Sequence, residues 1–153
     1  MALIDIGGSV RHGEELDVEK VDAWLRALLP QLSQGLPEVT QYSGGASNWT
    51  YRLKYASHDL ILRRPPAGTK AKSAHDMVRE FTVQDALKPV YPVVAEMIGL
   101  CTDPSVIGCD FYVMRRIEGI IPRANLPKEL NLSEAQVRQL CTNTLDQLIA
   151  LHQ

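Results

Sequence analysis

The chain has 153 residues, of which 45% are hydrophobic and 22% are charged, a composition typical of one globular domain or one lobe of a larger protein. Its formal net charge of -2 gives no global reason to expect binding to nucleic acid or to a membrane. The three cysteines lack C-x-x-C spacing, so neither a disulfide framework nor a zinc site is expected, and a reducing cytoplasm is the predicted location. No stretch has the apolar length of a signal peptide or a membrane span.

The first half of the sequence predicts a helix followed by three strands. Residues 1–16 look like a loose leader, and Asp17 can cap a helix that runs to about Leu29. A short strand is expected over residues 37–43. After a glycine turn, the alternating stretch WTYRLKY predicts a half-buried strand, the stretch ASHD a turn, and the stretch LILRR a third strand that a pair of prolines ends.

The next part of the sequence predicts one helix and two strands. Ser73 and Asp76 have the spacing of a capping box, and the helix that they open is expected to end before Pro89. Two apolar strands are expected near residues 95–101 and 111–116. The stretch TDPSVIGCD between them is rich in turn-forming residues and predicts a turn.

The last part of the sequence contains a linker and a second capped helix. Residues 117–132 have the composition of a hinge and linker, and Ser133 with Gln136 forms a capping box for a final helix over residues 133–153. The main unit is therefore residues 17–116. Because its strands are joined by hairpins with one inserted helix, we expect an α+β fold with a five-stranded antiparallel sheet and one packed helix.

The turn between the first two strands is rich in small and polar residues. It consists of Ser43, Gly44, Gly45, Ala46, Ser47 and Asn48. Glycine permits positive φ angles and a close approach of the backbone to a ligand, so the N–H groups and hydroxyls of this loop could point at phosphate oxygens. The alternative is an ordinary hairpin turn. The stretch is neither a G-x-G-x-x-G motif nor a P-loop.

A pair of arginines ends the third strand. The side chains of Arg63 and Arg64 should lie on opposite faces of the sheet, and the inward one needs an anionic partner. Glu80 is the natural candidate because it lies on the apolar stripe of the next helix, although a solvated edge of that stripe is the alternative. No spacing of metal ligands and no Ser/His/Asp arrangement occurs in the sequence, so we predict neither a metal site nor a catalytic residue.

Five motifs then occur in a familiar order: QYSGGASNWTYRL, LILRRPP, SAHDMVREFTVQDAL, DPSVIGCDFYVMRRIEG and LIALH. Over residues 15–152 the chain resembles the aminoglycoside phosphotransferase family of kinase-like enzymes, in particular the branch also found fused to acyl-CoA dehydrogenases. The resemblance implies a kinase-like N-terminal lobe, a hinge and the first helix of a C-terminal lobe. It also implies ATP and Mg²⁺ as cofactors and a hydroxyl group of a small molecule as the acceptor.

The resemblance assigns roles to individual residues. The loop positions the nucleotide through Ser43, Gly44, Gly45, Ser47 and Asn48. Arg63 takes the place of the strand lysine that grips the α- and β-phosphates, and Glu80 that of the helix glutamate that pairs with it. In the hinge, the carbonyl of Arg115 and the N–H of Ile117 would hold the adenine edge, with Met114 against the ring. Arginine departs from the wider family here, but a guanidinium can bind phosphate bidentately.

Kinase-like enzymes also need an H-x-D motif followed by an asparagine, and a metal-binding aspartate beyond it. Neither motif occurs in this sequence. We therefore expect a truncated or split product that is inactive by itself, with the Mg²⁺ ligands in a missing lobe, and self-association through the apolar stripe of the helix over residues 133–152. The alternatives are a non-catalytic nucleotide-binding or protein-interaction module, and a structural fragment that binds nothing.

Overall fold

A computed structural model describes residues 4–43, 48–68, 75–122 and 125–152. The chain divides into two units, of which the larger is Ile6–Ile117, and the smaller takes in the remaining described residues. In the larger unit, eight elements follow one another: α1 (Val18–Leu28), β1 (Glu38–Gln41), β2 (Trp49–Lys54), β3 (Asp59–Arg64), α2 (Met77–Leu87), β4 (Met97–Cys101), α3 (Pro104–Ile107) and β5 (Phe111–Arg115).

The five strands form one antiparallel sheet in the order β1-β2-β3-β5-β4. The predicted five-stranded antiparallel sheet and α+β class are thus confirmed. Asp17 caps α1 by accepting a hydrogen bond from the N–H of Lys20, as predicted. Asp76 caps α2 in the same way through the N–H of Arg79. The predicted helix start at Ser73 lies outside the described residues.

The hydrophobic core lies between α1 and the sheet face turned toward it. Its fully buried side chains are Val21, Leu25, Tyr51, Leu53, Leu60, Leu62, Phe111 and Val113. The rings of Trp24 and Phe111 meet edge to face with centroids 4.9 Å apart. Gly99 lies under the same helix, where an added Cβ would be 2.5 Å from the Cδ1 of Leu28. The absence of a side chain there lets α1 lie close to β4.

The structure corrects the expectation of a loose leader. Within residues 8–15, which we call the N-terminal segment, Gly8 exchanges two backbone hydrogen bonds with Gln41 at 2.8 and 2.9 Å. The carbonyl of Glu14 accepts hydrogen bonds from the hydroxyl of Tyr51 at 2.7 Å and from Nη2 of Arg64 at 2.9 Å. The segment is therefore fastened to the edge of the sheet and to the face that carries the core.

One short element was predicted only as a turn, and one predicted turn is a residue shorter than expected. The short helix α3 is capped by Asp103, begins at Pro104 and ends at Gly108 with φ 78°. Proline at the first position and glycine just after the last explain why this stretch is helical. The stretch ASHD turns the chain, but its last residue, Asp59, already pairs with Lys54 as the first residue of β3.

The smaller unit contains a 3₁₀ turn, Lys128–Leu130, and the helix α4, Glu134–Leu151. The predicted capping box is present, because the hydroxyl of Ser133 accepts from the N–H of Gln136 and the Gln136 side chain accepts from the N–H of Ser133. Within the described ranges, no helix combines the length and the apolar character needed to cross a bilayer.

Candidate functional site

The predicted ion pair between β3 and α2 is present. Nη1 of Arg63 lies 3.2 Å from Oε2 of Glu80, and about 30% of each side chain is exposed. Arg64 points to the opposite face, where its guanidinium lies 4.7 Å above the ring of Trp49 and donates to the carbonyl of Glu14. Alternation along β3 thus separates two adjacent cations: one faces α2, and the other is fixed against the core side of the sheet.

Tyr112 completes this pair from the neighbouring strand β5. Arg63 and Tyr112 are register partners, and the hydroxyl accepts from Nη1 of Arg63 at 3.0 Å while donating to Oε2 of Glu80 at 3.1 Å. Burial raises the pKa of the Tyr112 phenol, so the hydroxyl keeps its proton and can donate to the carboxylate. The sequence analysis missed this residue, although the alternation of FYVMR places Tyr112 and Met114 on one face.

Asn48 ties the end of the loop to the same carboxylate. Its side chain is buried, its Nδ2 donates to Oε1 of Glu80 at 2.8 Å, and its Oδ1 lies 2.8 Å from Nδ1 of His75. Both ends of this amide therefore bind other protein side chains. At the other end of the loop Ser43 is exposed. The remaining predicted loop residues, Gly44, Gly45 and Ser47, lie outside the described residues.

An apolar patch lies beside the ion pair on the same face of the sheet. Met114 of β5 is the register partner of Ile61 in β3, two positions before Arg63. Ile61 is buried and Met114 is half-buried. Sequence reasoning named Met114 but missed Ile61, even though the two-residue spacing from Arg63 places Ile61 on the same face. The patch can support a flat apolar ring next to a cation.

Backbone hydrogen bonds hold the hinge at the end of β5. The N–H of Arg115 donates to the carbonyl of Glu96 at 2.8 Å, and the N–H of Arg116 donates to the carbonyl of Asp59 at 3.0 Å. The side chain of Arg115 also binds Glu96 at 2.7 Å. Ile117 follows and is 66% exposed. These bonds fix the backbone at Arg115 and Arg116, next to the groups predicted to contact adenine, the carbonyl of Arg115 and the N–H of Ile117.

Asp59 forms ion pairs with several cations on this face. Arg52 donates to both of its carboxylate oxygens at 2.8 and 2.7 Å, and Nη1 of Arg116 lies 3.2 Å from Oδ2. Lys54 lies 3.7 Å away, and Nε of Arg116 donates to the hydroxyl of Tyr42 at 3.1 Å. The hydrogen bonds from Arg52 lower the pKa of Asp59. Three cations thus surround one carboxylate.

The carboxylates that are described on this face have protein partners. Glu80 binds Arg63, Tyr112 and Asn48, and Asp59 binds the cations described above. In the part of the chain that the structure describes, no group of three or more His, Cys, Asp or Glu side chains is arranged to hold a metal ion. The described part of the site presents cations and backbone groups, which suit an anionic ligand.

An antiparallel sheet with a strand cation paired to a helix carboxylate, next to a hinge, defines the N-terminal lobe of a kinase-like protein. The chain belongs to the phosphotransferase enzyme family, whose sequence profile matches residues 38–153. The family predicted from the five motifs is thereby confirmed.

Individual relatives agree with this assignment. Acyl-CoA dehydrogenase family member 11 of Gallus gallus is 38% identical over 143 residues, which are 91% of this chain and 18% of that protein. Acyl-CoA dehydrogenase family member 10 of Mus musculus is 38% identical over 112 residues, which are 73% of this chain and 10% of that protein. The chain thus spans less than a fifth of the length of these relatives.

A solved structure shows the same fold. The crystal structure of a protein from Ralstonia eutropha JMP134, described as a "putative aminoglycoside phosphotransferase", superposes with a TM-score of 0.58 at 30% identity. The similarity covers 74% of this chain and 31% of that one. The match therefore supports a kinase-like fold for most of this chain and corresponds to about a third of the neighbour.

Proposed function

We propose that this chain is the ATP-binding lobe of an ATP-dependent phosphotransferase that acts on a hydroxyl group of a small molecule. Family membership supports phosphoryl transfer. The observation that carries the assignment to nucleotide binding is the pair of Arg63 and Glu80, which holds a guanidinium on the sheet face between an apolar patch and the loop. A strand cation oriented by a helix carboxylate is how kinase-like proteins hold the α- and β-phosphates.

Arg63 is suited to bind phosphate oxygens. A guanidinium has five N–H donors. Among the described residues, the hydrogen bond of Arg63 to Tyr112 and its ion pair with Glu80 both involve Nη1. The other donors can meet two phosphate oxygens side by side, a geometry that the single ammonium of lysine cannot reproduce. Ser43, Gly44, Gly45 and Ser47 belong to the loop that we assign to the same phosphates, and Asn48 ends that loop with its side chain bound to Glu80.

The base would lie on the apolar patch. Ile61 and Met114 would contact the ring, while the carbonyl of Arg115 accepts from the exocyclic amine of adenine and the N–H of Ile117 donates to a ring nitrogen. A half-buried apolar surface beside fixed backbone groups is the usual composition of a small-molecule site. Mg²⁺ and the acceptor hydroxyl would bind to a further lobe. That lobe would also supply the aspartate that receives the proton of the hydroxyl.

A cytoplasmic location belongs to the same proposal. The three cysteines, Cys101, Cys109 and Cys141, are free thiols. Free thiols persist where thiols are kept reduced, which is also where ATP-dependent enzymes find their nucleotide.

The test compares the two neighbouring arginines by titrating the chain with ATP and with adenosine. Arg63→Ala should weaken ATP binding by about 10- to 100-fold, the loss of one or two charge-assisted hydrogen bonds, and should leave adenosine binding nearly unchanged. Arg64→Ala, the matched control, should leave ATP affinity within about twofold. It should nonetheless lower the melting temperature, because Arg64 stacks on Trp49 and fastens the N-terminal segment.

Equal effects of the two substitutions on ATP affinity would contradict the role of Arg63, and so would an unaltered affinity in both. Thermal melts of each variant show whether a loss of binding is a loss of folding. If the unsubstituted chain binds adenosine and ATP equally, the phosphates have no site on this lobe.

A non-catalytic nucleotide-binding module is the second candidate, because the described acids of the site have protein partners and no H-x-D motif occurs. Both candidates predict ATP binding by this chain, with ATP turnover no faster than in buffer. ATP turnover by a longer chain, which includes the C-terminal lobe found in the family, separates the two candidates. ADP release that depends on an added hydroxyl compound supports the phosphotransferase, and its absence supports the module.

A further inference from the structure

Asn48 connects the start of β2 to Glu80 in α2, 32 residues further along the sequence. It stands directly before β2 and donates through Nδ2 to Oε1 of Glu80, which is the carboxylate oxygen that Arg63 does not use. The other oxygen, Oε2, pairs with Nη1 of Arg63 and accepts a hydrogen bond from the hydroxyl of Tyr112. The carboxylate is therefore held at both oxygens, by the loop on one side and by the sheet on the other.

His75 holds the far end of the same amide. An amide oxygen only accepts, so the contact of 2.8 Å places a proton on Nδ1 of His75, donated to Oδ1 of Asn48. The backbone of His75 has φ 64°, in the left-handed region that residues other than glycine rarely adopt. Such a conformation persists when its surroundings hold it. The side-chain bond to Asn48 is one such constraint, and it lies one residue before the cap of α2, Asp76.

We propose that Asn48 is a positioning residue that is coupled to Arg63 through Glu80. The inference rests on the proposed nucleotide site. Because both polar ends of its side chain bind Glu80 and His75, Asn48 acts on the phosphates through the carboxylate rather than by touching them. Asn48 fixes Glu80, and Glu80 in turn orients the guanidinium of Arg63 toward the phosphates. An Arg63 held by phosphate favours the same placement of Glu80 and Asn48 in return.

The coupling predicts a pattern of ATP affinities that independent contacts would not produce. Asn48→Ala should weaken ATP binding by about tenfold and leave adenosine binding nearly unchanged. In chains that already carry Arg63→Ala, the same Asn48→Ala change should alter ATP affinity by less than about twofold, since the group through which it acts is gone. His75→Ala should give a smaller loss in the same direction. Asn143→Ala, which truncates an exposed asparagine of α4, is the matched control and should change neither affinity.

Two results would overturn the coupling. In one, the losses from Asn48→Ala and Arg63→Ala multiply in the double variant, which means that Asn48 acts independently of Arg63. In the other, Asn48→Ala leaves ATP affinity unchanged. Glu80→Gln gives a further check, because it keeps the shape of the side chain while removing its charge. In that background too, Asn48→Ala should have little further effect.

A measurement without ATP keeps this inference separate from the proposed function. If the unsubstituted chain does not bind ATP, the proposed function fails. Urea unfolding of the unsubstituted chain, Asn48→Ala, Arg63→Ala and the double variant then decides the coupling. Asn48 and Arg63 each bind Glu80, so the unfolding equilibrium constants should show an interaction of about threefold or more between the two substitutions. Independent effects would contradict it. If Asn48→Ala does not fold, Asn48→Asp replaces it, since a carboxylate beside Glu80 breaks the same bond without loss of volume.

Discussion

The two faces of the sheet differ in what they bury. Toward α1 the side chains are apolar and fully buried, and the cation on that face, Arg64, is fixed by aromatic rings and by backbone carbonyls of the N-terminal segment. Toward α2 the face carries half-exposed charges, and Met77 is the buried residue of that helix. The difference indicates that stability and ligand binding are divided between the two faces. Burial toward α1 stabilises the fold, so the face toward α2 can hold cations for a ligand.

The strongest test of this division truncates one apolar side chain on each face. Leu62→Ala should lower the free energy of unfolding by about 2–5 kcal/mol, because Leu62 is fully buried and its removal leaves a cavity. Met114→Ala should cost about 1 kcal/mol, since Met114 is only half-buried. Urea denaturation measures both.

Nucleotide titration under conditions where both variants are folded completes the comparison. Met114→Ala should weaken binding of ATP and adenosine alike, and Leu62→Ala should leave both affinities unchanged. Equal costs in stability together with equal losses of affinity would show that the two faces do not differ in this way.

Much of this division could be predicted from the sequence, because its signals are local. Alternation along β2 and β3 assigned Arg63 and Arg64 to opposite faces, and caps such as Asp17 and Ser133 marked helix starts. The cost of an unpaired carboxylate on an apolar stripe made Glu80 a candidate partner of Arg63, with a solvated edge as the alternative, and the resemblance to the family then assigned the pair.

The errors and omissions involve contacts between distant residues. The N-terminal segment looked like a loose leader because its partner Arg64 lies 50 residues from Glu14. The bond from Asn48 to Glu80 was not predicted, because nothing near Asn48 in the sequence identified Glu80, 32 residues away, as the partner of its side chain. Tyr112 was missed for the same reason. Local patterns predict elements and faces, whereas the bonds that fix a polar side chain depend on the folded arrangement.

A second apolar surface sharpens the comparison because it is exposed. On α4, exposed leucines include Leu140, Leu148 and Leu151, with Leu148 53% exposed. We propose that this stripe mediates self-association, since burying a few hundred Å² at about 25 cal/mol per Å² would contribute several kcal/mol. Light scattering should show dimers or larger species, and Leu148→Glu should shift them toward monomer. Gln139→Glu, on the face of the same helix turned away from the stripe, is the control for the added charge and should not. A chain that is monomeric at all concentrations would contradict the proposal.

The smallest expected effect concerns the charge cluster on the α2 face. Arg52 lowers the pKa of Asp59, chiefly by two hydrogen bonds, so the folded state favours the ionised carboxylate. This contribution to stability is fully present above the unfolded pKa of about 3.9 and is lost as the pH falls through the lower, folded pKa. Stability should therefore decline on acidification below about pH 4, and Asp59→Asn should flatten part of that decline.

Carboxyl NMR titration of Asp59 tests the cause directly. Arg52→Ala should raise the pKa of Asp59 toward its ordinary value, and Lys54→Ala should raise it less, because Lys54 lies 3.7 Å away without the paired hydrogen bonds. If Lys54→Ala has the larger effect, the charge of the whole cluster governs Asp59 rather than the fork of Arg52. The α2 face would then act as a diffuse positive surface. If Arg52→Ala has the larger effect, Arg52 and Asp59 act as a fixed pair. Arg116, bound to the same carboxylate and to Tyr42, is then held in place at the hinge beside the proposed nucleotide site.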